Sequence, residues 1–185
     1  MKQVNEILKI LKSHSSKESR IGMARYGINT ETAFGTSIPI LRDLAKIYGK
    51  NHELALSLWG TGYHEPRILA TMIDDPKEVS NKQMEQWVID FNSWDLCDQC
   101  IMNLFEDIPA SWKKIKEWCN RDEEFVKRAG FVMIARLCVS DKEADDKKFT
   151  QYFPLIYKHA DDNRPMVKKA VNWALRQRLV KEIND

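Results

Sequence analysis

The sequence has little of what interrupts helices and almost none of what builds sheets. Seven of its 185 residues are glycine and six are proline. Runs in which β-branched residues alternate with polar ones are almost absent, so the period of a half-buried strand is missing. Apolar residues instead recur at i, i+3, i+4 and i+7 along nearly the whole chain, which is the period of an amphipathic helix. This pattern predicts about ten helices, joined by short loops, and no strand.

Long apolar runs are absent as well. No stretch approaches the 18 apolar residues of a membrane-spanning helix. The amino-terminal MKQVNEILKILKSH has neither the apolar core nor the small-residue cleavage site of a secretion signal. We therefore expect an amphipathic helix at this end, no membrane partner and a cytoplasmic location.

Cysteine is also scarce, and its spacing argues against a metal or redox centre. Cys97 and Cys100 form a C-x-x-C inside a helical pattern, whereas Cys119 and Cys138 each stand alone. A zinc site normally needs a second close pair, and a redox C-x-x-C normally opens a helix after a strand. Buried helix thiols are therefore favoured over zinc or redox chemistry, and no metal is expected.

Two segments near the carboxyl end resemble each other. They are EEFVKRAGFVMIARL and RPMVKKAVNWALRQRL, and their K-R-A and K-K-A elements begin at Lys127 and Lys168, 41 residues apart. This spacing is typical of HEAT-like helical pairs, and EPRILATMI with Arg67 is a weaker third copy. The sequence predicts one all-α domain over residues 1–185, an α-solenoid of HEAT-like helical repeats whose concave face is lined by the second helix of each pair.

The charge is small overall but unevenly distributed. The net charge of +2 does not by itself call for nucleic acid. Between residues 164 and 181, however, there are six basic residues and no acid: Arg164, Lys168, Lys169, Arg176, Arg178 and Lys181. Such a run indicates either a nucleic-acid-binding face or a solvated helix face.

The segment DFNSWDLCDQC concentrates negative charge beside a tryptophan. Trp94 and Asp98 are four residues apart and share a helix face. Asp95 complements the helix dipole, but Asp98 lies past the first turn, so it needs a cation or a catalytic task. His64 and Glu65 are adjacent and do not share a face, so chemistry is not expected there.

A cation for Asp98 is available in the next predicted repeat. Arg128 is expected either to bind a phosphate or to pair with Asp98 or Asp95 as a structural bridge. Trp94, Asp98, Arg128 and Trp173 on one concave face would suit a flat cationic ligand held near phosphates. Core packing remains the alternative for each tryptophan.

Four segments together resemble one known family. They are LWGTGYHEPRILATMIDDP, DFNSWDLCDQC, EFVKRAGFVMIA and VKKAVNWALRQ, of which W-D-x-x-D and A-x-x-W-x-L-R are the specific elements. In this order they resemble the DNA alkylation repair family, the AlkD-type DNA glycosylases, from about residue 20 to residue 178. The resemblance implies a HEAT-like α-solenoid, in agreement with the repeat pattern.

The resemblance also implies an activity and its residues. The family excises N3- and N7-alkylated purines from duplex DNA without flipping the base into a pocket, and needs no metal or cofactor. Carried over by motif, Asp98 would be the catalytic carboxylate, with Trp94 and Trp173 packing against the lesion's deoxyribose. Arg128 would hold a phosphate and lower the pKa of Asp98. The implied partner is double-stranded DNA containing alkylated bases, bound by a monomer.

Two other functions stay open at this point. One is a catalytically inactive HEAT-repeat protein that recognises DNA structure through a basic face, and the other is a protein-interaction scaffold. The location of four predicted DNA-binding residues separates them: Lys127, Lys168, Lys169 and Arg176. If these lie on the same surface as Asp98, the scaffold is disfavoured.

Overall fold

The fold is all-helical wherever the chain is described. The structure, a computed structural model, describes the backbone of residues 1–141 and 146–184 and the side chains of residues 1–141 and 148–177. Every regular element in these ranges is a helix, which confirms the predicted fold class.

The chain divides into two compact units, Met1–Ser80 and Asn81–Asp185. The first unit contains α1 (Lys2–Ser13), α2 (Lys17–Arg25), α3 (Ile38–Tyr48), α4 (His52–Trp59) and α5 (His64–Ile73). The second contains α6 (Asn81–Ile89), α7 (Trp94–Asn103), a 3₁₀ turn (Phe105–Asp107), α8 (Ser111–Cys119), α9 (Glu124–Ser140), α10 (Asp146–Thr150), α11 (Phe153–Lys158) and α12 (Pro165–Asn184). A single domain over residues 1–185 stays a prediction.

Local sequence signals explain where several helices begin. The side chain of Ser16 accepts a hydrogen bond from the backbone N–H of Ser19 and caps α2. Asn51 caps α4 in the same way through the N–H of Leu54. Pro39 lies in the first turn of α3, where a backbone N–H has no acceptor within the helix. Proline, which lacks an N–H, therefore removes no helical hydrogen bond there. Each cap satisfies a donor that the helix itself cannot pair.

A buried carboxylate holds the long loop of the first unit. Glu65 is 1% exposed, and it accepts hydrogen bonds from the backbone N–H groups of Phe34, Gly35 and Thr36 at 2.9, 2.6 and 3.2 Å. Gly35 has φ +82°, and a Cβ there would collide with the backbone oxygen of Ser16. Glu65 is thus occupied by structural hydrogen bonds, which explains an acid buried at the start of α5.

A histidine–aspartate pair ties α4 to α5. The Asp74 side chain is fully buried, and its Oδ1 lies 2.6 Å from Nδ1 of His52. Lys50 donates a hydrogen bond to the Asp74 carbonyl at 2.7 Å. Burial alone would lower the pKa of His52, but the hydrogen bond and charge of Asp74, with Glu78 and Glu53, outweigh it and raise the pKa.

The second unit is built around α9, which packs against α6, α7, α8 and α12. Its residues from Val126 to Ala135 are all buried, so this helix has no solvated face along that stretch. Gly130 lets α8 approach closely, since a Cβ there would lie 2.6 Å from both the backbone nitrogen and Sγ of Cys119. The two helices approach this closely only because residue 130 is glycine, since any side chain there would displace the backbone of α8.

Replacement of Gly130 by alanine should therefore destabilise the protein. The added methyl group overpacks the contact with Cys119, and we expect the free energy of unfolding to fall by about 1–3 kcal/mol in urea denaturation. Gly22→Ala is the matched control, because nothing lies within 4 Å of a Cβ at Gly22 and alanine is the better helix former. Equal stability of the two variants would contradict the close contact.

The His52–Asp74 pair should make stability depend on pH. The folded-state pKa of His52 lies above the ordinary 6.5, so its contribution is fully present below that pH and is lost as pH rises through the folded value. The difference in unfolding free energy between the wild type and His52→Gln should therefore shrink as pH rises. Urea denaturation at a series of pH values measures it. In an Asp74→Asn background the pH dependence of that difference should largely disappear; if it persists, another group is responsible.

Candidate functional site

A buried ion pair joins two helices of the second unit. Arg128 Nε donates to Asp98 Oδ1 at 2.8 Å, and Arg128 Nη2 donates to Asp98 Oδ2 at 2.7 Å. The two residues are 5% and 8% exposed. A guanidinium and a carboxylate in this parallel arrangement form the strongest common type of side-chain ion pair. Of the two roles that the sequence allowed for Arg128, the structure shows the bridge to Asp98.

A third bond extends the pair to α12. Arg128 Nη1 donates to the backbone carbonyl of Met166 at 2.6 Å, in the first turn of that helix. Asp98 on α7, Arg128 on α9 and Met166 on α12 are therefore joined through one guanidinium. The orientation of the Asp98 carboxylate consequently depends on the packing of all three helices.

The beginning of α7 explains why Asp95 and Asp98 differ. Asp95 lies in the first turn, where its carboxylate complements the helix dipole, and it accepts a hydrogen bond from Ser93 Oγ at 2.7 Å. Asp98 lies one turn further on and faces Arg128. Asp98 is thereby held by a buried cation.

Burial and mutual attraction shift the pKa of each partner in opposite directions. Burial raises the pKa of Asp98 above its ordinary value, and the hydrogen bonds and charge of Arg128 oppose this shift without cancelling it. Burial acts to lower the pKa of Arg128, and Asp98 outweighs it, so that the arginine pKa is raised. Arg128 thus lowers the pKa of Asp98, as predicted, but desolvation of the carboxylate is the larger effect and the pKa of Asp98 is raised overall.

Trp94 and Trp173, the two tryptophans predicted for the site, are half-buried. Trp94 precedes Asp98 by one helical turn on the same face of α7. Trp173 lies on α12 in an open groove of about 440 Å³, whose lining residues are spaced at i, i+3, i+4, i+7 and i+8: Lys169, Asn172, Trp173, Arg176 and Gln177. Each indole therefore has part of its surface available to a ligand.

The predicted DNA-binding cations separate into two groups. Lys168, Lys169 and Arg176 are exposed on α12. Lys127, in contrast, is 7% exposed, and its Nζ lies 3.8 Å from Asp162 Oδ2. Lys127 is therefore not one of the exposed cations, because neighbouring helices cover α9 at this position.

The rest of the basic run is partly neutralised. Arg164 donates to both carboxylate oxygens of Asp162, at 2.9 and 2.6 Å, and to the carbonyl of Asp122 at 2.6 Å. The hydrogen bonds of Arg164 lower the pKa of Asp162 to about 2. The side chains of Arg178 and Lys181 lie outside the described residues. The exposed charge of the run is therefore carried, within the described part, by the three cations of α12.

The cysteines are buried, and none of them opens onto the surface: Cys97, Cys100, Cys119 and Cys138. Burial raises the pKa of Cys97 and of Cys119, which keeps both thiols protonated. Among the described residues no three potential metal ligands converge. None of the described helices has both the length and the apolar character needed to cross a membrane.

The chain belongs to the DNA alkylation repair enzyme family, whose sequence pattern matches residues 7–178. This confirms the resemblance drawn from the motifs. No curated protein matches the sequence significantly.

A solved structure has the same fold, with a TM-score of 0.86 at 18% identity over 97% of this chain and 77% of that one. It represents a family of proteins related to the HEAT-like repeat DNA glycosylases, with affinity for branched DNA structures. The chain is therefore similar in fold to a HEAT-like repeat protein, as the repeat pattern predicted.

Two components of the site could not be found by reading motifs. The carbonyl of Met166 binds Arg128, yet a backbone oxygen has no sequence signature. Asp162 pairs with Arg164 and faces Lys127, but its spacing from Lys127 is irregular. The only available signal for Asp162 is an acid placed just before a long basic run.

Removal of Arg128 should leave a buried carboxylate without its cation. Arg128→Ala is expected to lower the free energy of unfolding by about 3–5 kcal/mol, the usual effect of breaking one side of a buried pair. Asp98→Ala/Arg128→Ala should cost less than the sum of the two single substitutions, measured by urea denaturation as a double-mutant cycle.

The control is Arg121→Ala. Arg121 pairs near the surface with Glu123 and Glu85, so its removal should destabilise the protein clearly less than removal of Arg128. Strict additivity of the Asp98 and Arg128 substitutions would show that the pair is not coupled.

Proposed function

We propose that this protein is a monofunctional DNA glycosylase that excises cationic N3- and N7-alkylpurines from duplex DNA without base flipping. The observation that carries the proposal is the Asp98 carboxylate, buried and held by two hydrogen bonds to Arg128, one turn from the half-buried Trp94. Membership in the DNA alkylation repair enzyme family supports the same reaction. Action as a cytoplasmic monomer remains a prediction.

The chemistry needs only a small set of groups. An N3- or N7-alkylpurine carries a positive charge, so it leaves as a neutral base and no general acid has to protonate it. As the C1′–N bond breaks, the deoxyribose becomes oxocarbenium-like, and an ionised carboxylate stabilises that charge. Water then bonds to C1′ and its proton passes to Asp98 and on to solvent. The products are the free alkylpurine and an abasic deoxyribose.

Arg128 acts as a positioning residue in this proposal. Its Nε and Nη2 each take one lone pair of an Asp98 oxygen, and each oxygen keeps a second lone pair for the sugar or the water. Its Nη1 is engaged by Met166. The task of binding phosphates therefore passes from Arg128 to exposed cations.

The tryptophans and the cations of α12 complete the proposed site. A cationic purine or the developing sugar cation is attracted to the face of an indole, which Trp94 and Trp173 expose in part. Lys168, Lys169 and Arg176 are exposed and suit DNA phosphates. Binding through them is expected to weaken as salt concentration rises, because counterions are released from DNA.

A second candidate function is the recognition of branched DNA without base release. It is favoured by the likeness in fold to a protein family with affinity for branched DNA structures. It is also consistent with an Asp98 whose two oxygens are both engaged by Arg128. In that case the exposed cations of α12 would bind the backbone, and Asp98 would serve the fold alone.

Base release from methylated duplex DNA distinguishes the two candidates. We expect the wild type to release 3-methyladenine and 7-methylguanine, and Asp98→Asn to lose at least about 100-fold in rate while retaining DNA affinity, because the uncharged amide cannot stabilise the oxocarbenium ion. The released bases are quantified by chromatography in single-turnover reactions. Asp95→Asn is the matched control, since it removes a carboxylate from the same helix outside the pair with Arg128, and it should remain active.

Two outcomes would argue against catalysis. Saturable binding to a four-way junction, with no base released by the wild type, would establish the structure-binding function instead. Negligible affinity for every DNA at physiological salt would favour the protein-interaction scaffold. Circular dichroism of each variant excludes loss of fold as the cause.

A further inference from the structure

One carboxylate holds the beginning of α12. The Oδ1 atom of Asp162 accepts hydrogen bonds from the backbone N–H and from Nε of Arg164, at 3.0 and 2.9 Å, and its Oδ2 accepts one from Nη2 of Arg164 at 2.6 Å. The carbonyl of Arg164 then accepts a hydrogen bond from the N–H of Lys168 at 2.9 Å, in the first turn of the helix. Asp162 therefore fixes the residue from which α12 begins.

The same two residues also reach α9. Lys127 of α9 places its Nζ 3.8 Å from Asp162 Oδ2, and the two side chains are 9% and 10% exposed. Arg164 Nη1 donates to the carbonyl of Asp122 at 2.6 Å, in the loop directly before α9. Asp162 and Arg164 thus connect the beginning of α12 to the beginning of α9.

This connection affects Arg128, because that residue is held by both helices. Arg128 follows Lys127 directly in α9, and its third hydrogen bond goes to the carbonyl of Met166, two residues after Arg164. Met166 lies in the first turn of α12, and helix ends fray most readily because some of their backbone groups have no partner within the helix. If that turn moved, the Nη1 of Arg128 would lose its acceptor. An unpaired buried donor is costly, so the guanidinium would turn away from its present position.

We propose that Asp162 is a positioning residue for the Asp98 carboxylate. It fixes the first turn of α12, the Met166 carbonyl in that turn holds Arg128, and Arg128 orients the two oxygens of Asp98. Asp162 touches no reacting atom in this role, so its effect passes entirely through the guanidinium. Its effect on the ion pair can be measured without catalysis, whereas its effect on base release rests on the proposed function.

A neighbouring carboxylate shows what distinguishes Asp162. Asp161 lies in the same loop, is exposed and forms no ion pair with a described residue. Asp162 is largely buried, and the hydrogen bonds of Arg164 lower its pKa to about 2, so it stays ionised at neutral pH. A buried charge of this kind resists displacement, because moving it would leave its cationic partners unpaired.

The first measurement uses the single substitution Asp162→Asn in the full-length protein. Asparagine keeps the shape of the side chain but loses the charge and one acceptor oxygen. The Nε–H of Arg128 is followed by NMR of the arginine side chains at neutral pH, and its signal is identified by its absence from Arg128→Lys. Since this N–H is bonded to the buried Asp98, it should exchange slowly with solvent in the wild type and at least about tenfold faster in Asp162→Asn. The increase should exceed that of the backbone N–H of Val132, which is buried in α9 and reports global unfolding. Asp161→Asn is the matched control and should exchange like the wild type.

A second measurement asks whether Asp162 changes the strength of the pair. The coupling between Asp98 and Arg128 is obtained by urea denaturation from a double-mutant cycle, in the wild-type, Asp162→Asn and Asp161→Asn backgrounds. A residue that only stabilises the fold lowers the stability of every member of the cycle equally and leaves the coupling unchanged. A positioning residue weakens the coupling, so we expect a fall of about half or more with Asp162→Asn and no change with Asp161→Asn.

Single-turnover base release measures the consequence for catalysis. Asp162→Asn should slow the release of 7-methylguanine at saturating enzyme by about 10- to 100-fold without a loss of DNA affinity, since a small misplacement of a catalytic group has an effect of this size. Asp161→Asn should release the base at the wild-type rate.

Several results would overturn the proposal. Exchange at Arg128 Nε–H that rises no more than at Val132, or equal coupling in all three backgrounds, would show that Asp162 does not position the pair. A wild-type rate of base release in Asp162→Asn would overturn its role in catalysis. If the wild type releases no base, the proposed function fails, and exchange and coupling still decide whether Asp162 positions Asp98. The exchange measurement needs one substitution only, so it decides the question if a multiple variant fails to fold.

Discussion

The rest of the second unit depends on the buried pair between Asp98 and Arg128. Taking both charges out of water is costly, and it is offset only when the two groups meet in good geometry with their remaining donors paired. Here the two guanidinium–carboxylate bonds and the third bond to Met166 meet that condition. Since each partner belongs to a different helix, α7, α9 and α12 must pack correctly before the pair can form. The orientation of the Asp98 carboxylate is thereby fixed by the fold.

Burial and pairing also separate the basic residues that serve the fold from those that stay exposed. Basic residues whose partners lie within the fold are neutralised, as with Arg128 by Asp98 and Arg164 by Asp162. Lys168, Lys169 and Arg176 on α12 are exposed instead. A net charge of +2 therefore understates the positive surface that the protein can present to an anionic polymer. Long-range attraction to DNA depends on where charges are exposed, not on their sum.

A DNA glycosylase and a DNA-structure-binding protein would use the pair of Asp98 and Arg128 differently. In a glycosylase, the second lone pairs of the Asp98 oxygens face the substrate, and the substrate itself brings the cation that the site stabilises. In a structure-binding protein, the pair with Arg128 would be complete in itself and the exposed cations would carry the affinity. The fold is shared by proteins related to DNA glycosylases that have affinity for branched DNA, so fold alone does not choose between these uses.

The sequence by itself determined the helical fold and the family, and it singled out Asp98 and Arg128 without deciding whether they pair. Apolar residues at helical spacing, the caps at Ser16 and Asn51, and the order of the motifs are local features, which a linear pattern can carry. Only the tertiary structure decided which charges are buried. Lys127 and Lys168 occupy equivalent places in the repeated motif, yet Lys127 is inside and Lys168 is exposed. The reason is that burial depends on how many neighbours cover a helix, and α9 is covered by four others.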